Sequence, residues 1–153
     1  TTINNYNGNR YAFEHLGGTF THNNGKILVD YDTLGLNSHC DMKANEYYDF
    51  ELKMNDAVYV AYFRDLSGNT ITFNGDVTVT KGKFADQVST DTFILNGHTI
   101  IETNGKFGSG TSWHNGGIVT HNGPIIVNGG DYYVSDSGTV NMTSIRNIGG
   151  DVL

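Results

Sequence analysis

One cysteine and one proline stand in a chain of 153 residues, and only 16% of its positions carry charge. Each shortage excludes something. A lone Cys40 rules out an internal disulfide, so stability has to come from packing and hydrogen bonds. Free cysteine is among the most buried residue types, and Cys40 reads as a small interior group rather than a reactive thiol. Nine Lys and Arg against sixteen Asp and Glu give a net charge of −7, and the basic residues are scattered. That excludes the clustered positive surface a phosphate backbone needs, so nucleic acid is not an expected partner. No apolar run approaches the roughly 18 residues of a membrane span. No signal peptide is visible, and a start at Thr1 without Met marks either a processed end or an ordered part of something longer.

What the chain has instead is Asn, Thr, Ser and twenty glycines, a turn-rich, β-leaning composition. It also repeats itself. THNNGKILV from Thr21 returns as TFNGDVTV from Thr72, ILNGHTII from Ile94 and THNGPIIV from Thr120, with a fainter KMNDAVYV from Lys53. Each copy runs from strand-forming residues through Asn-Gly or Asn-Asp into an alternating stretch. The anchoring Asn24, Asn55, Asn74, Asn96 and Asn122 follow one another at intervals of 31, 19, 22 and 26. A second element trails several copies: GKF at Gly82, GKF at Gly105 and GDYY at Gly130. Self-similarity at such a period marks a stacked architecture whose short strands bury their apolar faces together.

Two all-β folds can use Asn-Gly this way. In an antiparallel β-sandwich each pair is a two-residue hairpin turn. In a parallel β-solenoid each pair is a corner, with one residue at positive φ. Pro124 follows Asn122-Gly123 directly and has no backbone N–H to return across a hairpin, which favours the solenoid. Irregular spacing favours it too, since insertions are absorbed at corners. Asn at such corners is expected to bond its own backbone and the Asn of the next coil. Phe73, Val77, Val79, Ile100, Ile126 and Val127 are the expected interior. From Glu46 to Arg64 alternation is sustained, as in extended strands with one buried face. No segment holds a helical period. Residues 1–16 are read as a lead-in or cap, and 17–153 as one solenoid domain.

The phrase GGTFTHNNGKILV, Gly17 to Val29, resembles the repeat of large extracellular and viral β-solenoid proteins, with weaker echoes near Thr72, Ile94 and Thr120. Residues before Gly17 and from Leu34 to Leu66 do not share it. The resemblance implies a structural or attachment part, a fibre or decoration protein of a tailed phage, at a virion surface or outside a cell. It carries over no catalytic residue. By the same analogy the chain works as a homo-oligomer, a trimer being favoured, against other virion proteins.

Candidate chemistry is thin. Glycoside hydrolysis needs two convergent carboxylates; Asp30 with Asp32, Asp49 with Glu51, and Asp131 with Asp136 are read as solvated corner groups. Six histidines show no metal-ligand spacing, and His22 and His121 are explained by equivalent turn positions in the repeat. The stretch from Asn128 to Gly138 is rich in oxygen donors but lacks a calcium-binding repeat pattern. No Ser-His-Asp arrangement and no phosphate-binding glycine loop can be nominated. The expectation is a protein that is not an enzyme and holds no cofactor or metal. Tyr47, Tyr48, Trp113, Tyr132 and Tyr133 are the candidate contacts, to a partner subunit or, in a carbohydrate-binding or adhesin module, to a glycan.

Overall fold

The computed structural model describes residues 2–4, 11–15, 18–31, 38–43, 45–57, 60–64, 70–86, 91–108, 117–133 and 138–153. Within them the chain is all-β, and its named strands pair in parallel, coil upon coil, as a β-solenoid. The antiparallel sandwich of hairpins is therefore set aside. The strands stand in three columns, all of which are served by the coils from Asn45 onward. The first column stacks β5 (Asn45–Tyr47), β8 (Thr70–Phe73), β10 (Thr92–Leu95), β12 (Ile118–His121) and β15 (Thr139–Met142). The second stacks β1 (Thr2–Asn4), β3 (Lys26–Tyr31), β6 (Asp49–Met54), β9 (Val77–Asp86), β11 (Thr99–Phe107), β13 (Ile125–Asn128) and β16 (Ile145–Asn147). The third holds β2 (Tyr11–His15), β4 (Ser38–Met42), β7 (Val60–Arg64), the C-terminal halves of β9 and β11, β14 (Asp131–Tyr132) and β17 (Asp151–Val152). β1 and β2 pair with β3 and β4, so the described part of residues 1–16 continues the coil as strands.

Alternation fills the interior. In Thr70-Ile71-Thr72-Phe73 the Ile and Phe are buried and the threonines face outward, and Val77 and Val79 repeat the pattern. The register turns this into straight files of side chains. Ile27, Phe50, Val77, Thr99 and Ile125 lie one above another, and so do Val29, Leu52, Val79, Ile101 and Val127. In the third column the rings of Phe84, Phe107 and Tyr132 stack nearly parallel, at 4.7 Å and 5.6 Å between centroids. The GKF, GKF and GDYY phrases exist to supply that stack.

Two expected interior residues are placed elsewhere. Ile100 and Ile126 face outward and are half-buried, because Thr99 and Ile101, and Ile125 and Val127, take the inward positions on their strands. Thr99 is fully buried among apolar neighbours, and its hydroxyl meets His121 Nδ1 at 2.8 Å. That bond removes the cost of burying a polar group, so the register can put a threonine where an isoleucine was expected.

The Asn-Gly corners follow the expected ladder but not the expected backbone. Asn122 donates through its side-chain amide to Asn96 Oδ1 at 2.7 Å, Asn96 to Asn74 at 2.8 Å, and Asn74 to Glu46 at 3.0 Å. Gly75, Gly97 and Gly123 do not adopt positive φ. They are glycine because coils approach closely there: a Cβ on Gly97 would sit 2.4 Å from the Gly75 carbonyl oxygen. Of the four Asn-Gly copies of the phrase, the first alone has positive φ at its asparagines, at Asn23 and Asn24 (φ 48° and 55°), where the phrase has one extra Asn. Asn55 does not belong to this corner. It follows β6 rather than preceding it, and its carbonyl accepts from the Lys81 ammonium.

Phe20 packs on Phe13, His15 and Tyr47, with its ring 5.3 Å from that of Tyr47, and so covers the first column beyond β5. Among the described strands, β1, β2 and β5 at one end and β15, β16 and β17 at the other each pair on one side only. Among the described residues no helix is long and apolar enough to cross a membrane.

Candidate functional site

The last coil, residues 139–153, is where this fold leaves interior chemistry at the surface. Its side chains hold interior registers: Val140 lies over Val119, Met142 over His121, Ile145 over Ile125 and Val152 over Tyr132. The lower members of these pairs are buried, whereas Met142, Ile145 and Val152 are 38%, 37% and 43% exposed. Ile148 and Leu153 add to the apolar surface. The backbone of this coil is well anchored below, with Ile148 N–H on Val127 O at 2.7 Å and Leu153 N–H on Tyr132 O at 2.9 Å. Its last turn is fixed by Asn147, whose Oδ1 accepts from Gly149 and Gly150 N–H and whose amide donates to the Gly150 carbonyl. The coil is thus formed, and its apolar side chains stand at the surface of the described residues.

The five aromatic candidates are distributed differently from the expectation. Tyr47 and Tyr132 are buried in the interior files, 0% and 1% exposed, so neither offers a ring to a partner or a glycan. Their hydroxyls explain how a tyrosine is accommodated there. Tyr47 OH bonds His15 Nδ1 at 2.7 Å and donates to the Lys43 carbonyl, and Tyr132 OH lies 3.0 Å from His121 Nε2. Tyr48 and Tyr133 remain partly exposed. The Tyr48 ring stacks on His22 at 5.5 Å, and Tyr133 OH donates to Asp131 at 3.3 Å beside the Lys106–Asp131 ion pair. Trp113 lies outside the described residues.

The histidine reading also changes. His22 sits at the first corner, but His121 points into the core between Thr99 and Tyr132, and burial pushes its pKa down to about 4. The extra Asn in the first copy shifts the phrase by one place, so the two histidines are not equivalent. Among the carboxylates, Asp30 pairs with Lys53, and Asp49 accepts the Asp76 backbone N–H at 2.8 Å. Burial opposes ionisation of Glu51, but hydrogen bonds from Lys26 and Thr80 outweigh it and hold the carboxyl below its usual range. Asp32 and Asp136 lie outside the described residues. Among the described residues no cluster of His, Cys, Asp or Glu could hold a metal ion. No family model, curated protein or solved structure matches the chain significantly.

Proposed function

We propose that this chain is a non-enzymatic structural module of a tailed-phage particle, a fibre segment or capsid decoration that acts through subunit interfaces. Its partners are copies of itself, in a trimer by preference, and other proteins of the virion surface. One observation carries the reading: the coils are locked to one another by in-register apolar files and by the Asn122–Asn96–Asn74 side-chain ladder, the build of a rigid structural part that needs no disulfide. The phrase from Gly17 to Val29 supports the virion setting by resemblance.

Light scattering over a range of protein concentrations tests this. A trimer or larger assembly is the expected result. A concentration-independent monomer overturns the reading. A second reading, an extracellular carbohydrate-binding or adhesin module, is favoured by a separate observation: Tyr48 and His22 stack at a partly exposed edge, beside an open groove.

A further inference from the structure

That groove lies between the first Asn-rich corner and the start of β5. It has a volume of about 720 Å³ and is lined by residues 20–24 together with Asn45 and Glu46. The size is that of small-ligand sites, which run to roughly 300–1,000 Å³. We propose that this groove binds a neutral saccharide.

The polar groups around it are held at one end and unpartnered at the other. Asn45 Oδ1 accepts the Glu46 backbone N–H at 2.8 Å, which fixes the amide and leaves its Nδ2 donor unused. Glu46 Oε2 accepts from Asn74 at 3.0 Å, leaving Oε1 as an acceptor on a carboxylate already oriented by the corner ladder. His22 Nδ1 accepts the Asn24 backbone N–H at 2.9 Å, which makes Nδ1 the unprotonated nitrogen of the neutral ring and Nε2–H its donor. The ring is held from its face by Tyr48, with the planes 17° apart. Consecutive positive φ at Asn23 and Asn24 sets the course of the loop that forms one wall. Each of these groups is a preset donor or acceptor for a hydroxyl.

The chemistry selects among ligands. Adjacent donors and acceptors on amides, an imidazole and one carboxylate suit vicinal hydroxyls, which both give and take hydrogen bonds. Phe20, half-buried in its packing with Tyr47, supplies the apolar surface that the C–H face of a sugar ring needs. Among the described residues no Lys or Arg lines the groove, and the Glu46 carboxylate repels anions, so phosphates and acidic sugars are disfavoured. The open shape accepts a segment of a longer chain. The site is independent of the assembly reading, because it lies at the covered end of the first column, opposite the last coil.

Amide-resonance NMR titration with three separate neutral probes, maltotriose, cellotriose and the trimer of N-acetylglucosamine, tests the proposal. The expected result is a saturable shift of residues 20–24 and 45–46 by at least one probe, with millimolar affinity. Asn45→Asp, which keeps the oxygen bonded to the Glu46 N–H and removes the amide donor, and Glu46→Gln, each folded by its unchanged remaining spectrum, are expected to weaken that binding at least about tenfold, the equivalent of 1.4 kcal/mol. If no probe moves these resonances, or if both variants bind as the parent does, the proposal is overturned. Either result leaves the light-scattering outcome untouched.

Discussion

Gly123 lies directly against Gly97: a Cβ added to Gly123 would stand 2.0 Å from the Gly97 carbonyl oxygen and 2.6 Å from its carbonyl carbon. The obstacle is backbone, which cannot swing aside as a long side chain can. Gly123→Ala is therefore expected to lower stability by at least about 2 kcal/mol, through the same strain as an overpacked core. Gly18→Ala makes the control, since a Cβ there meets nothing within 4 Å and only its φ of +78° opposes the change. Thermal unfolding of the two variants should rank Gly123→Ala as the more damaging. Equal effects would mean that the coils part at this corner at no more cost than a side chain meets in a left-handed φ.

The ladder at the same corner makes a second, separable claim. Asn96 both receives from Asn122 and donates to Asn74, so it sits in the middle of a chain of side-chain bonds. Asn96→Ala is expected to cost about 1 kcal/mol, the usual net worth of a hydrogen bond. Adding Asn122→Ala should cost less than it does alone, because its partner is already gone. Chemical denaturation of the single and double variants measures that coupling. Strict additivity would show the ladder to be ornamental.

Acid should weaken the interior at His121. Burial lowers its folded pKa from 6.5 to about 4, so the unfolded chain takes up a proton first as the pH falls. Its contribution is complete above pH 6.5, declines as the pH drops toward 4, and changes no further below that. The loss approaches about 3 kcal/mol at one proton. Stability measured across this range should slope. His121→Leu, which copies Leu95 one coil below in the same file, should flatten the slope while costing stability at neutral pH. A parent curve as flat as that of the variant would place the proton elsewhere.

Cys40 is fully buried, and burial, helped by the neighbouring Asp41 carboxylate, pushes its thiol pKa far up. A thiol reagent such as dithionitrobenzoate should leave the native protein unmodified at neutral pH and react fully once it is denatured. Rapid native labelling would require the third column to open readily.

Much of this architecture is legible in the sequence because the coil is written there as a period. The Asn-Gly phrase, the proline that forbids a hairpin and the alternating runs lead to a parallel solenoid and to the asparagine ladder. What escapes is whatever depends on register. Ile126 and Val127 are adjacent and cannot both point inward, and only the pairing with Thr99 and Ile101 decides between them. Thr99 looks like a surface residue until His121 is placed beside it. Tyr47 and Tyr132 look like exposed platforms because the sequence does not disclose the histidines that satisfy their hydroxyls. The reason for the corner glycines is equally hidden, since close approach between coils is a property of the stack and not of any one turn. The saccharide groove is hidden most of all: residues 20–24 and 45–46 belong to different coils, and no repeated phrase joins them.

From Asn74 through Asn96 to Asn122, and along the apolar files beside them, one contact is made again at every turn. A stack of this kind is held by nearest neighbours alone, like coins in a tight roll, so a lesion in one coil is felt by the two that touch it and stiffness is gained by repetition and not by any new kind of bond.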